Sequence, residues 1–439
     1  MILDLFKKSK PKKPINFFKW RSTDSSMIKH AELLKLAVNT NPDSVNATLR
    51  NQARSLSVAN SLISGYFEMI VSEILGTDGF RLDIHSATEL DKKVESLFFH
   101  WRNNCCVYGV YDFSDIEEMA LISLLRDGEI FIKLHNVKGE FKIELLDAAK
   151  IDNNYNDEKL NIKCGIQRAI DSLEPLYYFY RKNDYELIKI PAPQIIHIKK
   201  TLLPQQFRGI SRLGAAIVDI TDKDRYRERT LEQAALSASL TGFITRKSSS
   251  NISFDDEPLE IPQKAEVGKF EFLDDDLDVK FTQTQAPESI IEHLKATDRE
   301  VARSLGISYH SYTGDLKEVN YSSIRHGTSM ERRAFKRTQN FLKRKLHTPL
   351  FLKFLENELI NKNLSPAEYK LIKSSFSFKA DGWEYIDPTK EVNANKVAIE
   401  SGFKTITEIL RDRGIEVDTH LNDLATDAKI LNKLKEIRQ

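Results

Sequence analysis

The hydrophobic period of this chain changes twice along its length, and no pure helix bundle or pure sandwich accommodates that. Up to about residue 127 apolar residues recur at helical spacing. Residues 22–40 read as one helix and 44–76 as a longer one. The longer one carries Leu62, Ile63, Tyr66, Phe67, Ile70, Val71, Ile74 and Leu75 on a broad apolar face. Gly76 and Gly79 stop it. Val94, Leu97, Phe98 and Trp101 mark another helix, and Ser114 with Glu117 reads as a capping box for a helix at 115–127 that ends at Gly128.

From Glu129 the period is that of strands. Residues 129–134 and 141–146 predict a hairpin around Lys138-Gly139-Glu140, with further strands near 162–169, 175–181 and 194–199. Residues 1–210 therefore form one α+β unit. After Arg208-Gly209 the helical period returns and runs to about Leu240. That helix ends in small residues, Ala234 to Ser239, which suit either close packing around an axis or an ordinary buried helix end. A short strand-bearing insert follows at 241–286. Then come a helix near 288–305, a loop at 306–322 and a very long helix at 323–360 with a kink expected at Pro349. The tail from about 390 is helical and polar. There is no internal repeat.

The formal charge is only +1, so bulk charge does not announce a nucleic-acid binder. Its distribution says more. Residues 251–300 hold 14 acidic and 5 basic side chains, net −9, and residues 301–353 hold 3 acidic and 11 basic, net +8. Such segments are either solvated faces or surfaces that meet a charged partner. Cys105, Cys106 and Cys164 lack zinc-ligand or redox-motif spacing, which points to a reducing compartment. The first residues place an apolar run before Lys7, Lys8, Lys10, Lys12 and Lys13, the reverse of a secretory signal. No apolar run approaches the roughly 18 residues of a membrane span.

A search for chemistry finds little. Gly209-Ile210-Ser211-Arg212-Leu213-Gly214 has two glycines at P-loop spacing, but Ala215-Ala216 follow where a lysine and a hydroxyl belong. The ten histidines are scattered. Carboxylates cluster at Asp255-Asp256-Glu257 and at Asp274, Asp275, Asp276 and Asp278 without calcium-loop spacing, which favours exposed acidic surface over a metal site. Arg325, Arg332, Arg333, Lys336, Arg337, Lys343, Arg344 and Lys345 make a basic run. By spacing, Arg325, Arg332 and Lys336 share roughly one helical face.

Four short stretches, in this order, resemble the lambda-type portal proteins of tailed phages. They are Asp127-Gly128-Glu129, Gln206-Phe207-Arg208-Gly209-Ile210-Ser211, Leu305-Gly306-Ile307-Ser308-Tyr309 leading through Thr313-Gly314-Asp315 to Asn320-Tyr321-Ser322-Ser323, and Trp383 with Asp387-Pro388-Thr389-Lys390-Glu391. The likeness covers about residues 40–415. It implies a mainly helical α+β portal fold and a ring oligomer, usually of twelve subunits. The implied parts are a basic arm at 1–21, an α+β wing at 22–211, a first stem helix at 212–240 and a clip at 241–286. A second stem helix at 287–305, a channel loop at 306–322, a long wing helix at 323–365 and a helical crown at 366–439 complete them.

The resemblance also implies roles. Tyr309, Tyr312, Lys317, Asn320 and Tyr321 would face passing double-stranded DNA. Arg325, Arg332, Arg333, Lys336 and Arg337 would face phosphates or a neighbouring subunit, and Asp274, Asp275, Asp276 and Asp278 would be a docking surface on the clip. The partners would be further copies of the chain, the terminase large subunit, the major capsid protein and a head–tail adaptor, with no membrane. Such a subunit assembles in the host cytoplasm, sits at one capsid vertex of the virion, and needs no cofactor, metal or catalysis of its own. The rival readings are a metal-dependent nuclease or integrase-like enzyme using the acidic clusters, and a plain DNA-binding protein.

Overall fold

A computed structural model describes residues 43–437, apart from 44, 87, 239–241, 247–276, 282–286, 318–319, 384–386, 414 and 416. The expected arm at 1–21 and helix at 22–40 lie outside the described residues. The helix expected over 44–76 is two, α1 (Asn46–Ala59) and α2 (Ser61–Leu75). Asn60 between them is extended, and its side chain accepts from the amides of Leu62 and Ile63 at 3.1 and 3.2 Å. Asparagine makes a better N-cap than helix interior, so the chain breaks there.

Helix α3 (Leu90–Asn103) follows strand β1 (Arg81–Ile84), and α4 (Phe113–Arg126) leads into the sheets. The capping box of α4 is Asp112 with Asp115, not Ser114 with Glu117. Asp112 Oδ1 accepts from Ser114 and Asp115 amides at 2.8 and 3.0 Å, and Asp115 reaches back to the Asp112 amide at 3.1 Å. Glu117 is buried instead, where it accepts from the Phe80 amide at 3.3 Å and from His347.

Strands β2 (Glu129–Val137) and β3 (Glu140–Leu146) form the expected hairpin, with Lys138 and Gly139 both at positive φ. Strand β8 (Ile195–Lys199) pairs on the other edge of β2. A second antiparallel sheet orders β4 (Ile162–Lys163), β5 (Ile166–Arg168), β6 (Pro175–Arg181) and β7 (Leu187–Pro191) side by side.

Beyond the sheets the described residues are mostly helical. Helix α5 (Ile217–Ala238) packs on α6 (Pro287–Leu305) through a Lys223–Asp298 ion pair and the Tyr226 and His293 rings, 4.8 Å apart. Between them β9 (Gly242–Arg246) and β10 (Leu277–Phe281) pair antiparallel. The long helix expected over 323–360 is α8 (Tyr321–Leu342), a π turn at Lys343–His347, and α9 (Thr348–Ile360). Pro349 sits in the first turn of α9, where its missing amide costs little, and the irregular turn lies just before it.

The chain then returns to strand β1. Helix α10 (Pro366–Ser374) leads into β11 (Phe376–Lys379), which pairs antiparallel with β1. Phe378 joins Phe98, Phe351 and Phe354 in an aromatic core, with Phe98 ring centroids 5.2 and 5.3 Å from the last two. Each such pair is worth about 0.5–1.5 kcal/mol beyond burial. Residues on both sides of position 365 thus share one aromatic core. Helices α11 (Pro388–Glu400), α12 (Ile406–Asp412) and α13 (Val417–Ile437) follow.

The link from β8 to α5 passes through the interior. Arg208, wholly buried, donates to Glu129 Oε1 at 2.8 Å and to the carbonyls of Ala148, Ile151 and Cys164 at 2.8, 3.1 and 2.9 Å. Asp43 accepts the amides of Phe207 and Arg208 at 3.0 and 2.6 Å, and Asn46 donates to the Gly209 carbonyl. A buried link must satisfy its backbone groups, and side chains from four elements do so here. Glu129, held by Arg208 and by His197 at 3.0 Å, stays ionised well below the usual carboxylate range. Burial outweighs Glu129 at His197 and lowers its pKa to about 4, so His197 is neutral and donates Nε2–H.

A pH dependence follows. Unfolded histidine takes a proton near pH 6.5 while folded His197 refuses it until about 4. Stability is complete above about pH 6.5 and falls as pH drops through that window. Urea midpoints between pH 7 and 4.5 should decline, and His197→Gln, which keeps a donor for Glu129, should flatten the decline.

Candidate functional site

Among the described residues, the stretch 306–317 is a braced turn. Gly306, at φ +79°, ends α6, and the Ile307 amide bonds back to Ala302 at 3.0 Å. Ser308 caps the short helix α7 (Tyr309–Thr313) by accepting from the Ser311 amide at 3.3 Å, and Gly314 closes it in the left-handed region. The brace is Glu331 on α8. Its buried carboxylate accepts from the Ser308 amide and, at 3.1 Å, from Ser311 Oγ. Replacing Glu331 with alanine leaves that amide without its partner, a local cost of about 1–3 kcal/mol. Amide exchange at Ser308 and Ser311 should accelerate in that variant, with little change in β2 and β3.

The expected DNA-facing residues separate. Tyr312 is 5 % exposed and packs inward, where burial raises its pKa. Tyr309 is half-buried, its ring 5.4 Å from the Arg299 guanidinium and its hydroxyl 3.3 Å from Asp315. Both tyrosines thus pack locally, the plainer alternative for such a turn. Lys317 and Asn320 are exposed. Tyr321 begins α8, and its side chain lies outside the described set.

The basic helix also differs from its expected face. Arg332 turns inward, 5.8 Å from the ring of Trp383, whose Nε1 donates to the Glu73 carbonyl at 3.1 Å. Arg325, Arg333, Lys336, Arg337, Arg344 and Lys345 are exposed, and none pairs with a carboxylate among the described residues. Only Glu331 is acidic between 321 and 347, against eight cations.

Two further cations join this face. Lys200 lies 4.1 Å from the Phe341 ring, and burial together with the fields of Arg212, Arg337 and Arg344 lowers its pKa. Arg212 lies against Gly306, close enough that an added Cβ there would sit 2.7 Å from its guanidinium. Sequence reading missed Lys200 and Arg212, isolated charges between longer elements that carry no periodic signal, and Glu331, a single carboxylate within a basic helix. Asp274, Asp275 and Asp276 lie outside the described residues, as do Asp255, Asp256 and Glu257. Asp278 stands opposite Thr245 in the β9–β10 pair. No group of metal-ligating side chains occurs among the described residues, and none of their helices is long and apolar enough to cross a membrane.

Two of the four portal-like stretches meet in the fold. An added Cβ at Gly128 would lie 2.5 Å from the Ile210 amide nitrogen, and one at Gly209 would lie 2.6 Å from the Gly128 carbonyl carbon. Asp127 and Glu129 flank the crossing. A family model described as phage portal protein, lambda family, matches residues 32–339. The chain belongs to that family. Its role is that of a phage portal protein, which is structural in kind. The probable portal protein of Halomonas phage phiHAP-1 is 24% identical over 422 aligned residues, covering 88% of this chain and 81% of its own. Among solved structures, the neck of an empty GTA particle computed with C6 symmetry aligns at 13% identity and TM-score 0.47, over 83% of this chain and 94% of the other. An HK97 family phage portal protein from Corynebacterium diphtheriae aligns at 10% identity and TM-score 0.36, over 63% and 85%.

Proposed function

We propose that twelve copies of this portal chain close into a ring at one capsid vertex, and that double-stranded DNA enters and leaves the particle through the ring. The ring assembles in the host cytoplasm, nucleates the major capsid protein, docks the terminase large subunit, and later joins a head–tail adaptor. The acidic clip around Asp274–Asp278 is the docking surface. Nucleotide hydrolysis belongs to the motor, and the portal itself needs no metal or cofactor.

The observation that carries this reading is the turn at 306–317. Glu331 braces its backbone at Ser308 and Ser311, while the exposed side chains beyond it include Lys317 and Asn320 rather than a dense cationic grip. A conduit must touch backbone phosphates of any sequence without reading bases and without binding them tightly. A doubly substituted chain, Lys317→Ala with Asn320→Ala, tests it in a packaging reaction. Rings should assemble normally while fewer heads fill completely. Unchanged filling would remove the turn from the DNA path.

A further inference from the structure

The open side of α8 and the π turn carries more positive charge than the protomer answers. Arg333, Arg337 and Arg344 follow at spacings of four and seven residues, which places them on one helical face. Lys200 and Arg212 close on the same place, and Lys200 feels only cations around it. Five like charges held together favour an anionic occupant.

Overall charge decides between nucleic acid and protein as that occupant. A free phosphate-gripping protein carries surplus positive charge, whereas this chain is +1. Its charge is displaced rather than in excess. The described part of α5 carries the opposite stripe. Asp224, Glu228 and Glu232 recur every four residues, all exposed. Like charges at that spacing destabilise an isolated helix. Asp224 accepts only from Asn60 Nδ2, at 3.1 Å, and neither Glu228 nor Glu232 meets a cation among the described residues. The acidic stripe spans about 12 Å and the basic one about 16 Å.

We infer that the two stripes meet between copies, the Asp224–Glu228–Glu232 face of one against the Arg333–Arg337–Arg344 face of the next. The contact is head-to-tail, and such a contact closes a ring when its rotation divides a full turn without translation. It deepens the ring reading above and rests on it.

Charge swaps in the full chain test the pairing, with ring fractions read by mass photometry at about 0.15 M salt. One variant carries Glu228→Lys and Glu232→Lys, the other Arg333→Glu and Arg337→Glu. Each alone sets like charges face to face and should lower the ring fraction by more than about tenfold. Mixing the two restores opposite charges at every interface of an alternating ring, so rings should return. The chain bearing all four changes should also form them. Far-UV circular dichroism unchanged from wild type confirms that the exposed substitutions leave the protomer folded. If wild type forms rings and either pair leaves them intact, or if mixing rescues nothing, the pairing is wrong. Intact rings with weakened duplex DNA binding by the arginine variant would assign the basic stripe to phosphate instead. If wild type forms no rings, the ring reading falls and this inference with it.

Discussion

Replacing Arg208 with methionine is expected to lower the unfolding free energy by about 3–5 kcal/mol, seen as a large drop in the urea midpoint. The substitution keeps much of the bulk and removes the charge. Glu129 then sits wholly buried with the Gly209 amide at 2.9 Å, His197 at 3.0 Å and Arg50 at 3.7 Å, and burial weakens Arg50 as a base. The carbonyls of Ala148, Ile151 and Cys164 lose a shared donor at the same time. Adding Glu129→Gln to the methionine chain removes the stranded charge and should recover part of the loss. A loss under about 1 kcal/mol would mean that water or a rearranged Arg50 serves Glu129 equally well.

Gly209→Ala is expected to be at least as damaging, about 4 kcal/mol or more, with most of the protein insoluble on expression. The added methyl would meet the Gly128 carbonyl and Glu129 Cβ, the latter at 2.8 Å, and both belong to a sheet strand and its turn, which cannot swing aside like a flexible side chain. Gly128 is tied as firmly, with φ +86° and the Ile210 backbone beside it. Gly65 is the control. It lies exposed within α2 with nothing within 4 Å of an added Cβ, so Gly65→Ala should stabilise by about 0.8–1 kcal/mol. Equal effects at Gly65 and Gly209 would refute the close crossing.

The period changes at Gly128 and after Arg208 were legible because long amphipathic segments repeat their signal many times. The break at Asn60 was not, since one capping side chain interrupts an apolar face that continues on both sides. The β1–β11 pair was hidden for a different reason. Two four-residue strands almost 300 positions apart leave no periodic trace, and their pairing is set by the aromatic core they cover. Nothing in the sequence marks Arg208, Glu129 and Glu117 as buried, because burial of a charge depends on partners distant in sequence. The portal-like stretches were legible as words, while their packing was not: Gly128 and Gly209 pack two backbones together, and Tyr309 reaches Asp315 within the turn that Glu331 braces.

Electron microscopy of the purified full-length protein in negative stain tests the central claim most directly. Closed rings with one central channel, of twelve subunits in class averages, are the predicted result. Folded protein that stays single-copy across salt and concentration, with no rings in any field, would contradict it.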